Sequence, residues 1–249
     1  SLRGVPRGGR VDGYLRRDAM RACRAGASEQ PGDSAMRKVI VSEWMSLDGV
    51  VQAPAYADED TSGGFKHGGW HLRYFEERSM KWVVENVNGA GGFLLGRRTY
   101  DVFAAHWPNA SPEEQALAQP LNTLPKYVAS RTLREPLAWQ NSRLLEGDLA
   151  ESVAALKREA GNDLLVIGST ELAAALLEHD LVDELRLMID PVMLGGGKRF
   201  FRDDGVCRRL ALVTSETTPT GAILATYARS GAESAERPPQ RLPRPPART

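Results

Sequence analysis

The sequence predicts an α/β fold, in which helices cover a largely parallel sheet that ends in an antiparallel hairpin. Short apolar, β-branched runs alternate along the chain with longer amphipathic stretches, and this alternation favours parallel strands joined by helices. The last two predicted strands have no helix between them. Residues 217–221 (TTPTG) have the composition of a tight turn, so these two strands should form a hairpin.

The pattern defines eight strands and five helices. The predicted strands are 37–45, 91–96, 125–130, 142–146, 163–168, 183–190, 208–217 and 221–229. The predicted helices are 70–87, 97–106, 113–121, 148–160 and 170–179. Asp148 is a candidate cap for the fourth helix, and Ser169 or Thr170 for the fifth, because their side-chain oxygens accept the free N–H groups of a first turn.

The predicted domain occupies residues 36–230, between two segments of different composition. Residues 1–35 mix Arg, Gly and Ala without a period, and Met36 opens the first strand, so we interpret 1–35 as a disordered N-terminal extension. Residues 231–249 contain five Pro and four Arg. That composition cannot form a core and predicts a disordered tail, with a proline-motif ligand as the alternative.

Charge and composition exclude several classes of protein. The formal net charge is zero, but residues 36–230 hold 21 Lys and Arg against 26 Asp and Glu. This acidic body argues against nucleic-acid binding. No run approaches the roughly 20 apolar residues of a membrane helix, and residues 1–35 contain no apolar signal region. Cys23 and Cys207 form no CxxC pair, so we expect no metal site and a reducing, cytoplasmic location.

Three predicted strand ends carry residues suited to binding an anion. They are Gly96, Arg97, Arg98 and Thr99 after the second strand, Ser130 and Arg131 after the third, and Gly168, Ser169 and Thr170 after the fifth. Helix N-termini are partly positive, Arg binds phosphate through two N–H groups, and ligands of open α/β sheets lie outside the carboxyl ends of strands. The first two sets therefore suggest one shared phosphate site, and the third a pyrophosphate site. Surface arginines and an ordinary capped helix are the alternatives.

Other segments have two interpretations each. Asp48 in SLDG either points into a cleft or closes a turn with Gly49. The glycines before Lys198 permit either close approach to a ligand or a flexible loop. Residues 52–69 lack an apolar period, as do functional loops and surface insertions alike.

The remaining conspicuous side chains are expected to be structural. The four histidines show no ligand spacing and are expected to be structural or exposed; they are His67, His71, His106 and His179. The aromatic residues at helical spacing, Trp70, Tyr74, Phe75 and Trp82, are expected in the core. Neither GxGxxG nor a Walker A motif is present, which argues against a Rossmann domain and a P-loop NTPase.

Taken in order, five segments resemble the reductase domain of the bifunctional riboflavin-biosynthesis deaminase-reductase, in the dihydrofolate-reductase-like superfamily. They are SLDGVV, LLGRRTYDVF, KYVASRTL, VIGSTELAAALL and VDELRLMIDPVMLGGGKRFF. The segment DTSGGFKHGGW resembles a stand-alone bacterial branch. The resemblance implies a three-layer fold, NADPH laid across the strand ends and a homodimer. It also implies that the 2′-phosphate lies near Arg97, the pyrophosphate near Gly168, and the nicotinamide and substrate near Asp48.

The sequence departs from this pattern in three places. Dihydrofolate reductases carry a pterin-binding carboxylate on the first helix, but Phe75 takes that position here and Glu76 follows, about 100° further round a helix. The zinc-dependent deaminase half is absent. The pyrophosphate turn has Gly-Ser where Gly-Gly is common. The resemblance therefore implies neither folate as substrate nor a place in riboflavin synthesis.

The activity that the resemblance implies is hydride transfer from NADPH to a C=N or C=O of a small heterocycle. Asp48 is the first candidate to orient the substrate or relay a proton, and Glu76 the second. One alternative is a non-catalytic or regulatory NADPH-binding protein of the same fold. Another is a nucleotide-sugar-phosphate reductase, in which Lys198 and Arg199 would bind the substrate phosphate.

Overall fold

The computed structural model describes residues 36–230, so the predictions for 1–35 and 231–249 lie outside the described residues. The strands are Val39–Ser46 (β1), Gly92–Gly96 (β2), Lys126–Ala129 (β3), Ser142–Leu144 (β4), Leu164–Ile167 (β5), Glu184–Asp190 (β6), Leu210–Thr217 (β7) and Ile223–Arg229 (β8). The α-helices are Glu77–Asn88 (α1), Arg97–His106 (α2), Gln115–Thr123 (α3), Leu149–Arg158 (α4) and Thr170–Glu178 (α5). Short 3-10 helices occupy Ser62–Gly64, Trp107–Asn109 and Pro112–Glu114.

All eight strands join one sheet in the order β4-β3-β2-β5-β1-β6-β8-β7. Strands β1 to β6 are parallel, whereas β8 runs antiparallel to both β6 and β7. The predicted fold class, a mostly parallel sheet with a C-terminal hairpin, is confirmed. The chain places β2, β3 and β4 on one side and then returns to insert β5 beside β1. Such a reversal of strand order opens a crevice at the carboxyl ends of the strands.

Helices cover both faces of the sheet and make it the middle of three layers. On one face, Leu156 of α4 and Leu176 of α5 pack in a cluster with alternate residues of the central strands. On the other face, Val87 of α1, Tyr100 of α2 and Leu121 of α3 pack in a second cluster. Because both faces are buried, the inner strands are almost continuously apolar, as parallel strands usually are.

The predicted start of the first helix is wrong. Helix α1 begins at Glu77 rather than at residue 70, because the Glu76 carboxylate accepts hydrogen bonds from Arg78 N at 2.9 Å and Ser79 N at 3.1 Å. This side chain satisfies two free N–H groups of the first turn. The preceding aromatic residues form turns, such as the hydrogen bond from Tyr74 N to His71 O. The other predicted ends agree with the structure to within two residues.

The caps of α4 and α5 differ from each other. Asp148 accepts from Ala150 N and Glu151 N at 2.9 and 3.0 Å, as predicted. Ser169 occupies the cap position of α5, but its hydroxyl makes no capping hydrogen bond. It bonds instead to a neighbouring strand end. Among residues 36–230, no helix combines the length and apolar character that crossing a membrane requires.

Candidate functional site

Hydrogen bonds tie the ends of β2 and β5 together. Gly96 N donates to Ser169 Oγ at 2.9 Å, and Ser169 N donates to Thr99 Oγ1 at 3.3 Å. Gly168 between them is exposed and has φ +61°, which favours glycine. A Cβ atom there would lie 3.8 Å from Thr99. Two of the three predicted turns therefore form one continuous surface, where the N-termini of α2 and α5 lie side by side.

The two arginines at the start of α2 point in different directions, since adjacent helical residues are about 100° apart. Arg97 donates to Thr132 Oγ1, just beyond β3, at 2.7 Å. The Arg97 Nε atom lies 3.4 Å from Asp101 Oδ2. Arg98 is 84% exposed, and its nearest acid is Asp60, with 3.7 Å between Nη1 and Oδ2. Only Arg97 therefore reaches the neighbouring strand end.

The end of β3 completes this surface. Ser130 Oγ accepts hydrogen bonds from Thr132 N at 3.2 Å and Leu133 N at 3.0 Å, so it shapes the turn. Arg131 is exposed, and its guanidinium group has no hydrogen-bond or ion-pair partner within residues 36–230. The structure thus brings the side chain of Arg97 to the β3 turn that carries Arg131. This surface therefore offers an exposed glycine, two helix N-termini and two guanidinium groups. Such a set of hydrogen-bond donors fits the phosphates of a dinucleotide.

Asp48 is hydrogen-bonded to residues 194–198, the glycine-rich loop. Ser46 Oγ and Leu194 N donate to Asp48 Oδ1 at 2.7 and 3.1 Å, and Gly195 N donates to Oδ2 at 2.9 Å. Burial alone would raise the pKa of Asp48, but these hydrogen bonds outweigh it and lower the pKa to about 2. Asp48 therefore stays ionised near neutral pH and accepts hydrogen bonds rather than donating a proton. It also closes the expected turn, where Gly49 has φ +83°.

Glu76 lies apart from Asp48. Its carboxylate caps α1, and the hydrogen bond from Arg78 N, together with those from Ser79, lowers its pKa. No hydrogen bond or ion pair within the described part of the chain joins it to Asp48 or to the glycine-rich loop. The structure therefore does not bring the two predicted catalytic carboxylates together.

Residues 52–69 contact the glycine-rich loop along one side. Lys198 Nζ lies 2.6 Å from Asp60 Oδ2, and Lys198 N donates to Gln52 Oε1 at 2.9 Å. A cleft of about 540 Å³ separates the two segments; it is lined by Gln52, residues 62–67 and residues 194–198. Gly197 packs directly against Phe65 in this cleft, because a Cβ there would lie only 2.8 Å from the Phe65 ring.

Lys198 and Arg199 are already neutralised by acids of their own chain. Lys198 is paired with Asp60, and Arg199 Nη2 lies 3.7 Å from Asp48 Oδ2. The Arg199 guanidinium also donates to the Asp48 carbonyl oxygen. A substrate phosphate would have to displace these carboxylates, so the pair offers no free basic site.

A buried, hydrogen-bonded pair, His71 and Asp190, lies at the ends of β1 and β6 and was not anticipated from the sequence. His71 Nδ1 lies 2.7 Å from Asp190 Oδ2, and both side chains have zero exposure. Asp190 is the register partner of Ser46, which binds Asp48. The His71 ring stacks on Trp44 with 4.1 Å between centroids. The position of Asp190 at the end of a buried strand was a usable signal, but nothing in the sequence connected it with His71.

Each partner in this pair has an unused polar atom. His71 Nε2 and Asp190 Oδ1 are buried without a hydrogen-bond partner. Burial raises the pKa of Asp190, and the bond to His71 offsets part of that rise. On β1, burial likewise raises the pKa of Glu43, whose Oε1 atom also lacks a partner. Neither Asp190 nor Glu43 was identified from the sequence, and His71, which was expected to be structural or exposed, is fully buried.

The fold and this site define an α/β protein whose candidate ligand site lies at the carboxyl ends of parallel strands. The chain belongs to the RibD C-terminal domain family, whose sequence profile matches residues 37–224. It is 32% identical over 143 residues to the uncharacterized protein YyaP of Bacillus subtilis (strain 168), covering 57% of this chain and 75% of that protein. Within residues 36–230, no group of three or more His, Cys, Asp and Glu is placed to hold a metal ion.

Two solved structures share the fold. A putative riboflavin biosynthesis protein from Shewanella sp. PV-4 is 22% identical, with a TM-score of 0.56, over 78% of this chain and 99% of that one. A diaminohydroxyphosphoribosylaminopyrimidine deaminase/5-amino-6-(5-phosphoribosylamino)uracil reductase from Thermotoga maritima is 15% identical, with a TM-score of 0.53. That match covers 78% of this chain and 57% of the Thermotoga chain. At these identities, the likeness concerns the fold alone.

Proposed function

We propose that this protein is an NADPH-dependent reductase that transfers a hydride to a C=N or C=O of a small heterocycle. The observation that carries the proposal is the surface on which the ends of β2 and β5 are tied together beside Arg97 and the turn after β3. Membership of the RibD C-terminal domain family supports a reductase related to the riboflavin pathway.

NADPH would supply the hydride, and the protein would bind and orient it. Arg97 and Arg131 would hold the 2′-phosphate, with Ser130 keeping the turn after β3 in place. The N-terminus of α5, next to the exposed Gly168, would face the pyrophosphate. Thr99 and Ser169 would act through their mutual hydrogen bond, which fixes the spacing of the two helix N-termini.

A titration of both cofactors tests the cofactor site. NADH lacks the 2′-phosphate, and a hydrogen bond to a charged group contributes about 1.5–3 kcal/mol, so Arg97→Ala should weaken NADPH by roughly 10- to 100-fold and leave NADH nearly unchanged. Arg98→Ala is the matched control, because Arg98 points towards Asp60, and it should have a smaller effect. Arg131→Ala should resemble Arg97→Ala. If all three variants bind NADPH like the wild type, the phosphate site lies elsewhere.

Asp48 would position the substrate pocket rather than supply a proton. Its low pKa keeps it ionised, and its two oxygens hold the first residues of the glycine-rich loop. Glu76 is similarly kept ionised by its capping role. The proton that the reduced atom gains would therefore come from water or another group.

The substrate panel separates the proposal from its alternatives. NADPH oxidation should be measured with pterins, flavin precursors and quinoid carbonyl compounds, with and without a phosphate group. Turnover of an unphosphorylated heterocycle would support the proposal. Turnover of phosphorylated precursors alone would favour a nucleotide-sugar-phosphate reductase, against which the pairing of Lys198 and Arg199 argues. NADPH binding without turnover across the panel would favour a non-catalytic or regulatory protein.

We also propose a cytoplasmic setting, without nucleic-acid or membrane partners. The exposed Cys207 carries a free thiol, which suits a reducing compartment. The acidic charge of residues 36–230 disfavours a phosphate backbone as partner. Fractionation of cells that express the full chain would test the location, and retention with the membrane fraction would contradict it.

A further inference from the structure

The central strand β1 is partly uncovered on one face, although it has a hydrogen-bonded strand on each side. Ser42 and Trp44 are half-buried, whereas residues 39–41, 43, 45 and 46 are buried. Trp44 packs in a cluster with Trp82 of α1, so by alternation Ser42 also points to the α1 face. That face of β1 therefore contains an opening in the middle of the sheet.

The opening lies at the crevice between β1 and β5. The last pair in the register of these strands is Ser42 with Ile167, and Ile167 is half-buried as well. Beyond Ile167 the chain turns through Gly168 into α5, which packs on the opposite face of the sheet. Trp44, two residues further along β1, therefore has no β5 residue beside it. Ligands of open α/β sheets bind in such a crevice.

Ser42 and Trp44 each offer a polar group that the domain does not use. The Ser42 hydroxyl and the Trp44 indole N–H make no hydrogen bond within residues 36–230, and neither is a buried atom. An indole N–H can only donate, and a hydroxyl donates as readily as it accepts. Alternate residues of a strand are about 6.6 Å apart, from a rise of about 3.3 Å per residue. One small ring system with two acceptors therefore reaches both groups.

The Trp44 ring is held in place by its neighbours. It stacks on His71 with 4.1 Å between ring centroids and 20° between ring planes, and the Phe75 ring lies 5.6 Å away. His71 is anchored in turn, because its Nδ1 atom lies 2.7 Å from Asp190 Oδ2. A donor on a fixed ring loses little conformational freedom when a ligand binds. Its position can therefore select the ligand.

The carboxylates of the adjoining segments are already engaged. Asp190 binds His71, and Glu76 caps α1. Asp48 accepts hydrogen bonds from the glycine-rich loop. The Glu43 side chain alternates onto the opposite face of β1. A ring that presents amino or N–H groups would find none of these carboxylates free, whereas a ring that presents acceptors would meet two donors.

We propose that Ser42 and Trp44 determine the substrate class of the reductase, which is an uncharged heterocycle with carbonyl acceptors rather than an amino-substituted pterin. This inference rests on the proposed function, in which NADPH supplies the hydride. The substrate gains that hydride and one proton from water, which turns a carbonyl into a hydroxyl group and leaves NADP⁺.

The test is calorimetric titration of the full-length chain, saturated with NADP⁺ so that no turnover occurs. The two probes are N-methylisatin, which is uncharged with two carbonyl acceptors and no N–H group, and pterin, which carries an amino group. N-Methylisatin should bind at least about 10-fold more tightly, because donors of pterin left without an acceptor weaken its binding on this scale. No binding of N-methylisatin, or equal binding of the two probes, would overturn the proposal.

Single substitutions test the two donors. Trp44→Phe keeps a ring against His71 and removes the indole N–H, so it should raise the dissociation constant of N-methylisatin roughly 2- to 12-fold. Ser42→Ala should have an effect in the same range. Trp107→Phe and Ser142→Ala are the matched controls, which remove a buried N–H and a buried hydroxyl without partners elsewhere in the domain. They should leave the constant unchanged.

A cofactor titration of the same variants separates this inference from the proposed function. Circular dichroism establishes that each variant is folded, and Trp44→Phe and Ser42→Ala should bind NADP⁺ like the wild type. A wild type that binds neither NADPH nor NADP⁺ would contradict the proposed function, and N-methylisatin is then titrated against the cofactor-free chain. An equal loss of affinity for NADP⁺ and N-methylisatin in Trp44→Phe would overturn the inference alone, since the N–H would face the cofactor. Wild-type affinity for N-methylisatin in both variants would overturn it too.

Discussion

At the scale of single residues, the structure changes the interpretation of Asp48. The SLDG motif marked it as a candidate for chemistry, and it does lie at the end of β1. What the sequence could not indicate is that residues almost 150 positions away, Leu194 and Gly195, donate to both of its oxygens. A side chain held in this way governs the position of a loop, and its charge matters because backbone N–H groups point at it.

Asp48→Asn is predicted to lower turnover without weakening NADPH binding. The NH2 group of the new amide cannot accept a hydrogen bond. One of the backbone N–H groups that now bind Asp48, such as that of Gly195, would therefore lose its acceptor, and the glycine-rich loop should shift. A misplacement of about 1 Å can cost about 10²-fold in rate. The measurements are kcat on any accepted substrate and a cofactor titration. Asp203→Asn, at an exposed site, serves as the control. Wild-type turnover in Asp48→Asn would reduce Asp48 to a turn residue.

The low pKa of Asp48 also has a consequence for acid stability. A carboxyl group with a pKa of about 2 in the folded protein and about 3.9 when unfolded stabilises the fold above pH 4, and this contribution is lost as the pH falls through 2. The Asp48→Asn variant should therefore lose less stability than the wild type between pH 4 and pH 2. Thermal midpoints measured across this range test the difference, and identical slopes would contradict it.

The buried pair of His71 and Asp190 should be the most sensitive pair to break. Asp190→Ala leaves a buried imidazole without its hydrogen-bond partner, at a cost of about 1–3 kcal/mol. For a domain of this size, this equals a fall of roughly 2–12 °C in the thermal midpoint. Replacing both residues, as in His71→Phe with Asp190→Leu, should restore part of the loss. Calorimetry of the wild type and these two variants measures the difference; a midpoint near wild type in Asp190→Ala would show that the pair contributes little.

At the scale of elements, a buried lysine links α3 to β3. Lys126 Nζ donates to the carbonyl oxygens of Leu121 at 2.7 Å, Leu124 at 3.0 Å and Asn122 at 3.3 Å. It lies over the Trp139 ring, 4.3 Å from the centroid. Burial lowers the pKa of Lys126 to about 8. The ammonium group thus caps the C-terminal end of α3, a position where cations are favourable.

Lys126→Met keeps the length of the side chain and removes its three donors. The buried carbonyl groups then lose their partner, and we expect a loss of about 2–3 kcal/mol in the free energy of unfolding. Chemical denaturation measures it. The matched variant Lys81→Met removes a surface lysine with a long, exposed ion pair and should cost less than about 0.5 kcal/mol. Equal effects of the two substitutions would contradict the capping role.

Most elements were predictable from the sequence because their signals are local. Short apolar runs between longer amphipathic stretches predicted the strands. Asp148 predicted the start of α4, because its side chain can cap the first turn of a helix. The predicted start of α1 was wrong because the spacing of Trp70, Tyr74 and Phe75 suits a helix as well as a series of turns. Capping by Glu76 decides between them. Ser169 was misassigned for another reason: its hydroxyl bonds to Gly96, a tertiary contact that no local pattern reports.

At the scale of the whole molecule, residues 36–230 are predicted to fold on their own. The composition of 1–35 and 231–249 offers little apolar surface for packing, so removing both should change the free energy of unfolding by about 0.5 kcal/mol or less. The thermal midpoint of the shortened chain should then match that of the full chain within a few degrees. A large drop would show that one end packs on the domain.

The insertion of β5 between β2 and β1 also bears on how the protein folds. Val39 pairs with Leu164, 125 positions later, and Asp190 meets Ser46 from even further along the chain. Contacts between such distant residues form slowly, because a long loop must close before they stabilise anything. The proposed cofactor surface needs both β2 and β5 in place. A nascent or partly folded chain should therefore have no affinity for NADPH until nearly the whole sheet has assembled, and the cofactor should slow unfolding more than it speeds folding.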